Sequence, residues 1–574
     1  MPEALLGALP PAPEMPAPRE GPAQRALQWY QRQRTSPGWT LTVSLVVAIL
    51  TLPILAIAGL ALTAAGNEWP HLLRHVLPNT AWQTILLATG TGLLSLMIGT
   101  GAAWLVTMYR FPGRAIVDRL LVLPLAIPTY IVAYCYVELL DYGGPVQSFV
   151  RSAGGFATVR DYWFPDIRSL PGAIFVLSAV LYPYVYLTAR ASFVQQSVCV
   201  LEVARTLGQT AFGAFRRIAL PLARPALASG TALVVMETLN DLGAVQYLGI
   251  ETFSVSIYST WLQRSNLPGA AQIALVGLAV VILVLVLERA ARGDSRYHHT
   301  TGRYRSIPFQ DLDGWKGYAA ALACALPVLV GFVVPVGILL RHAVSHAGEA
   351  LAEGFVMAAV NSVVIAAIVA AVAIPVALLL GYGGRVAGNA IVRPALRMAG
   401  LGYTIPGTVL AIGVLIPFAA FDNWIDAVMR GTFGTSTGLL LSGTLLALTF
   451  ALVVRFLTVA LGTVESGLQK ISPNLDAAAR TLGATSLGTL YRVHLPLLMP
   501  AMGAAGLLVF VDAMKELPAT LLLRPFNFET LATHVYSLTA LEQFERAALV
   551  PVPAEPAVFD PRRMPQPGAI PPEV

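Results

Sequence analysis

Eleven apolar stretches, each about as long as a bilayer core is thick, run through this chain. They lie at roughly 40–63, 80–108, 117–140, 170–189, 224–246, 269–288, 317–341, 357–383, 398–420, 438–461 and 498–522. A helix needs about 20 such residues to cross the hydrocarbon. The chain is 56% hydrophobic and only 12% charged, against about 25% charged in a soluble domain, so a water-soluble core cannot hide this much apolar surface. Inside lipid every backbone polar group must find its partner within the segment. Stretches this long and without strict alternation therefore predict helices, not barrel strands. The expected fold class is all-α, a polytopic membrane protein of about eleven spans.

The net charge of +6 comes from Lys and Arg placed between the apolar stretches, which argues against a nucleic-acid patch and for membrane lipid as the neighbour. The loops "YRFPGRAIVDR", "FRRIALPLAR", "ERAARGDSRYHHTTGRYR" and "GYGGRVAGNAIVRPALR" are basic. They alternate with loops poor in positive charge, such as "GIETFSVSIYSTW" and "FDNWIDAVMRGTFGTSTG". Because basic loops stay inside, the expected topology is a multi-pass membrane protein with a cytoplasmic N-terminus. The loop 141–169 departs from the pattern, with Arg151, Arg160 and Arg168, but is long and also acidic. Residues 1–38, rich in Pro, Ala and Arg, read as a disordered cytoplasmic tail. Cys135, Cys199 and Cys324 have neither disulfide nor metal spacing and read as buried thiols.

The chain repeats itself. "ARTLG" occurs at Ala204–Gly208 and again 275 positions later at Ala479–Gly483, each followed at the same distance by a Leu-Pro, Leu220-Pro221 and Leu495-Pro496. "AIPTYIVA" around Pro128 is answered by "TIPGTVLA" around Pro406, and "METLNDLGAVQ" by "VDAMKELPATL". "ETFSVSIYS" (Glu251–Ser259) is answered by "ETLATHVYS" (Glu529–Ser537). Both ARTLG modules fall on the cytoplasmic side, so the two halves run in the same direction, a common way to build a transport path. The expected layout is a tail 1–38, a first transmembrane half 39–292 with its core at about 78–288, and a cytoplasmic linker 293–316. A second half 317–549, with its core at about 357–549, and a Pro-rich tail 550–574 complete it. The repeat calls for a twelfth span after "FERAALV". Pro551, Pro553 and Pro556 stop a helix there, so a disordered periplasmic tail is expected instead.

The segment "EVARTLGQTAFGAFRRIALP" (Glu202–Pro221) resembles the cytoplasmic EAA loop of ABC-importer permeases: Glu-Ala-Ala, three residues, Gly, nine residues, Ile, one residue, Leu-Pro. Val203 departs from it in the first copy. In the second, "DAAARTLGATSLGTLYRVHLP", Ala477 stands at the Glu position, Asp476 precedes it and Val493 replaces Ile. Read physically, each copy is two short helices joined at a glycine corner, Gly208 or Gly483. The second helix is expected to end before Leu-Pro, where the next span starts. The resemblance runs from Asn79 to about Leu549 and is nearest the fused-dimer permeases of ferric-iron importers, with thiamine and other small solutes carried by related fused permeases. It implies two tandem type I transmembrane domains in a bacterial inner membrane. It also implies two cytoplasmic ABC ATPases docked on the modules through Glu202, Ala204, Arg205, Gly208 and Pro221 in one and Ala479, Arg480, Gly483 and Pro496 in the other. A periplasmic solute-binding protein would dock over the loops 141–169, 247–268 and 420–437. The chain has no G-x-x-x-x-G-K-[ST], and its three lysines, Lys316, Lys470 and Lys515, are in no such setting; ATP and Mg then belong to the partner subunits, and this chain is a transporter subunit that binds no cofactor.

Glu237 and Asp241 are four apart, which places them on one helix face, and Asp512 and Glu516 repeat them 275 positions on. Acids inside a membrane face a water-filled path or a partner, and carboxylates suit a hard cation. All four are candidates for the translocation path, against the alternative of local pairing with Lys515 or helix capping. His71 with His75, and His342 with His346, form two His-x-x-x-His pairs on the outer side and are weak metal candidates. Arg455, inside the tenth stretch, is expected to pair with an acid across the bundle, and Tyr182, Tyr184 and Tyr186 to pack. Rival readings are a secondary transporter driven by an ion gradient, which gives no reason for two cytoplasmic knobs, and a non-transporting scaffold.

Overall fold

The computed structural model describes residues 36–63, 69–195, 210–292, 310–345 and 354–540. The expectations for Glu202, Ala204, Arg205, Gly208, His346, Cys199, the N-terminal tail, most of the linker and everything beyond residue 540 lie outside those residues.

Ten helices are long and apolar enough to span, and a bent pair makes up to eleven. In the first half they are α1 (Pro37–Thr63), α2 (Trp69–Met108), the bent pair α3 (Arg114–Leu120) and α4 (Thr129–Leu140), α5 (Leu170–Gln195), α6 (Leu220–Asn240) and α7 (Leu267–Arg292). In the second they are α8 (Trp315–His342), α9 (Phe355–Ala387), α10 (Gly407–Phe433), α11 (Leu445–Gln469) and α12 (Leu495–Met514). The count agrees with the eleven apolar stretches, but three of those stretches are not straight rods. The stretch 117–140 turns by 94° at its middle. The stretches 224–246 and 498–522 stop at Asn240 and Met514, and the chain restarts in the short helices Gly243–Tyr247 and Pro518–Leu523. The stretch 398–420 starts later, at Gly407.

The bends have a local cause. A proline disfavours the α region for the residue before it. Ile127 and Ile405 are accordingly extended (ψ 125° in both), and Pro128 and Pro406 follow at ψ 141° and 138° as the residues from which α4 and α10 start. The repeated Ile-Pro is thus a matched break in both halves.

Prolines also account for most of the widened turns. Four π-turns end two residues before a proline: Leu72–Val76 before Pro78, Phe215–Ala219 before Pro221, Leu329–Val333 before Pro335 and Leu490–His494 before Pro496. Proline has no N–H and its ring clashes with the carbonyl four residues back, and a wider turn relieves both. This corrects the expected stop at Leu-Pro. The helix does not end there; from Ser486 it runs through the π-turn to Met514 as one 29-residue span, and Phe215–Asn240 does the same in the first half.

The leading helix of each half lies against the other half. Helix α1 packs on α9 and α10; Trp39 meets the Tyr382 ring edge-on at 5.3 Å, and Asn389 donates to Thr40 Oγ1 at 2.8 Å. Helix α8 packs on α2, α4 and α5, and Tyr136 donates its hydroxyl to Val330 O at 2.7 Å. Each hydrophobic core therefore mixes residues of both halves: Val43 and Ile57 with Val409 and Leu457, and Cys324 and Val328 with Val132 and Leu177. Small residues allow the closest approach: a Cβ on Gly99 of α2 would lie 2.8 Å from Tyr182 O and Tyr186 N of α5. A short strand, Gln310–Asp311, pairs in parallel with Tyr109–Arg110 at the end of α2. Cys135 and Cys324 are buried free thiols, as expected. Tyr182 and Tyr186 are fully buried, and the Tyr186 hydroxyl donates to Asp118 at 2.5 Å.

Candidate functional site

The first Ile-Pro turn and the two repeated acidic segments converge on one cavity of about 130 Å³ between the halves, room for several waters or a small solvated ion. The first half supplies the Ile127-Pro128-Thr129 turn, Tyr184 of α5 and the end of α6 from Glu237 to Gly243; the second supplies Tyr403, Arg455 and the segment Asp512–Pro518. All four carboxylates singled out in the sequence line it.

Their detailed roles divide into two kinds. Asp241 and Glu516 do not continue the helix face of Glu237 and Asp512. The helices end just before them, and each caps the short helix that follows. Asp241 Oδ1 accepts from Ala244 N (2.9 Å) and Val245 N (3.1 Å), and Oδ2 accepts from the Thr129 hydroxyl. Glu516 Oε1 accepts from Ala519 N (2.9 Å) and Arg455 Nη1 (3.0 Å), and Oε2 from Thr520 N (2.9 Å) and its hydroxyl (2.6 Å). These are N-caps at equivalent places in the two halves. Glu237 and Asp512 keep the helix and make one contact each: Glu237 Oε1 accepts from Tyr403 Oη at 2.7 Å, and Asp512 Oδ1 lies 3.3 Å from Lys515 Nζ.

Asn240, Thr129 and Tyr403 were not singled out in the sequence. Asn240 Oδ1 accepts from Gly407 N at 2.8 Å, so the end of α6 caps the start of α10 across the interface. Its signal was available: Asn240 and Asp241 occupy the places of Lys515 and Glu516 in the repeat. Gly407 is required by this approach, since a Cβ there would lie 2.5 Å from Arg455 Nη1 and 2.9 Å from Glu516 Oε1. Arg455 finds its acid across the bundle, as expected.

The second knob lies wholly within the described residues. Its first helix, Pro473–Thr481, carries Ala479 and Arg480; Ser472 caps it, and the Leu482-Gly483 corner ends it with Gly483 at φ 78°. Thr485 caps the second helix by accepting from Gly488 N at 3.1 Å. The knob is fastened to the spans by side chains. Arg385 of α9 donates to Asp476 (2.8 Å), Leu468 O (2.6 Å) and Ile471 O (2.9 Å). Fully buried His494 meets Asp476 at 2.5 Å through Nε2, and the Tyr382 hydroxyl donates to Ser486 O at 2.7 Å. Asp476 is therefore turned inward, and the acidic contact that the EAA pattern puts one residue later is absent in this copy. Outward, Leu482 is 87% exposed, with Leu475, Leu487 and Tyr491 exposed beside it, an apolar patch on a helical corner of the kind that marks a protein contact.

Three of the four histidine candidates are among the described residues. His71 and His75 are exposed with ring centroids 5.2 Å apart, and His342 Nε2 lies 2.5 Å from Glu138. Among the described residues no group of three or more His, Cys, Asp or Glu is placed to hold a metal.

Residues 95–292 match the family described as binding-protein-dependent transport system inner membrane component. Over 525 residues the chain is 25% identical to the Fe(3+)-transport system permease protein FbpB 2 of Haemophilus influenzae, covering 90% of this chain and 95% of that one. Residues 95–292 therefore carry that family's domain, and the chain is similar to an importer permease over most of its length. The ferric transport system permease protein FbpB of Actinobacillus pleuropneumoniae is 22% identical over 489 residues, 80% of this permease and 66% of that protein. The sulfate transport system permease protein CysT of Salmonella typhimurium is 29% identical over 264 residues, 44% of this permease and 92% of that protein. The permease is thus a multi-pass inner-membrane transport component.

Proposed function

We propose that this permease imports ferric iron. It would take the metal from a periplasmic binding protein and release it to the cytoplasm by alternating access, driven by two ATPase subunits that use ATP and Mg. The observation that carries the iron reading is the end-to-end similarity to an Fe(3+)-transport permease, 90% of one chain against 95% of the other. The sulfate permease, in contrast, aligns with a single half. Glu237 and Asp512, equivalent in the repeat and each with one carboxylate oxygen bonded, give the interface cavity acids on both sides for a hard cation.

The two knobs are the docking points for the ATPases, with Ala479, Arg480, Gly483 and Pro496 in the second and Glu202, Ala204, Arg205, Gly208 and Pro221 in the first. The exposed Leu482 and its neighbours favour that reading over an ion-gradient transporter, which has no use for such a patch. The N-terminus is then cytoplasmic.

The test is uptake of radioactive iron by iron-starved cells that carry the whole transporter. Glu237→Ala with Asp512→Ala is expected to abolish uptake while the protein stays in the membrane. Uptake unchanged in the double variant sinks the path assignment. Wild-type cells that take up sulfate and no iron sink the iron reading. Loss of a co-purifying ATPase on Gly483→Trp with Gly208→Trp tests the docking.

A further inference from the structure

Arg455 is the cavity group least accounted for by the architecture. It is 6% exposed, sits mid-helix in α11, and lines the cavity. A guanidinium at such a place is costly and marks function more often than packing. Its Nη1 donates to Glu516, but Nε is buried with no acceptor among the described residues. Among the described residues Nε, on the side of the fork that grips an oxyanion through two parallel bonds, is left without an acceptor. Glu516 itself needs no arginine: three donors from Ala519 and Thr520 already serve it. The first half has Val180 at the equivalent position, so the charge is not demanded by the repeat.

The surrounding acids do not supply the missing acceptor. Asp241 is taken up by its own capping bonds and Thr129. Asp512 is beside Lys515 and Glu237 beside Tyr403.

We infer that Arg455 is an anion contact of the interface cavity, its open edge taking an oxyanion of the cargo, either a free oxyanion or the anionic ligand of a chelated metal. The inference rests on the reading of this cavity as the translocation path. It deepens that reading: the acids meet the metal, and the guanidinium meets the anion that travels with it or instead of it.

The experiment is titration of the purified full-length chain in nanodiscs with sulfate, with citrate and with ferric citrate. Wild type binds at least one of the three. Arg455→Met weakens that binding by about tenfold or more, the scale of a lost charge-assisted contact. Arg455→Lys, which keeps the charge without the fork, falls between. Glu516→Gln removes the competing carboxylate charge and tightens the same binding, an effect that a merely structural Arg455–Glu516 pair does not give. Melting curves of all variants check that they are folded. Binding of sulfate or citrate alone assigns a free oxyanion; binding confined to ferric citrate assigns the anion to the metal. Sulfate binding lost in Arg455→Met, in cells that import no iron, leaves this inference standing while the iron reading falls. Wild-type binding of none of the three, or equal affinity in wild type and a folded Arg455→Met, overturns it.

Discussion

Replacing Arg385 by Met is expected to loosen the second knob from the spans without unfolding the bundle. Arg385 makes three bonds at 2.6–2.9 Å, and all three acceptors belong to the knob or its root: Leu468 O, Ile471 O and Asp476. Hydrogen bonds to charged groups are worth about 1.5–3 kcal/mol each. The Arg385 and Asp476 side chains are 18% and 16% exposed, so water recovers part of the loss. Three bonds at the low end would sum to about 4.5 kcal/mol, and with that recovery about 3 kcal/mol for the set is the appropriate figure. At about 1.4 kcal/mol per tenfold, the knob should open locally about a hundredfold more often. Amide hydrogen exchange reads this directly: protection across 473–494 should fall by that factor, while protection in the middle of α11 stays unchanged. Arg385→Lys keeps the charge but cannot reach three acceptors arranged around a fork, and should lie closer to Met than to wild type. Exchange in 473–494 that matches wild type in both variants would refute the clamp.

Other outcomes follow from equally local features. Gly407→Ala forces a Cβ to within 2.5 Å of Arg455 Nη1 and should lower the melting temperature and transport together. Gly503→Ala, with nothing within 4 Å, should leave both unchanged or gain up to about 1 kcal/mol of stability. Pro496→Ala restores the N–H whose absence widens the turn Leu490–His494. The turn should relax to α, rotate the knob about α12 and raise the ATP hydrolysed per solute moved, measured in proteoliposomes. Burial pushes the Glu529 carboxyl up, but hydrogen bonds from His534 and Arg524 outweigh it and hold it below its ordinary value. A depressed carboxyl stabilises the fold above its unfolded pKa, about 4.3, and that contribution is lost as pH falls through the lower, folded value. The melting-temperature gap between wild type and Glu529→Gln should therefore close as the pH is taken below about 4.

The number of spans was legible because length and apolarity decide membrane crossing almost alone. The repeat was legible because its landmarks keep a nearly constant offset, and those landmarks proved to be the backbone breaks: Ile-Pro before α4 and α10, and the capping acids after α6 and α12. Whether Leu-Pro would end a helix was not legible. A proline can stop a helix or be absorbed by a π-turn, and tertiary support chooses between these. The helix face assumed for Glu237 and Asp241 failed for a related reason. Spacing of four implies a shared face only where the helix continues, and Asp241 is itself the cap that restarts it. Arg385 was visible only as one more basic loop residue. Its partners lie 83 to 91 positions away, and no local pattern encodes such a pairing.

What the π-turns preserve is mechanical continuity. Had Leu495-Pro496 ended the helix, the knob would hang from a flexible joint and a push on it would dissipate there. Instead the 29 residues from Ser486 to Met514 form a lever of about 44 Å, with the knob at one end and Asp512 at the other. The knob end is gripped by α9 through Arg385 and Tyr382. Tyr382 also carries the ring of Trp39 from α1, the leading helix of the opposite half. Force applied at one knob is therefore shared between both halves before it reaches the cavity. The exchanged helices hold the halves together while the Asn240–Gly407 and Glu237–Tyr403 bonds hold them at the centre. On the proposed translocation path, opening to either side would rock about that centre, with the paired carboxylates and Arg455 beside the pivot.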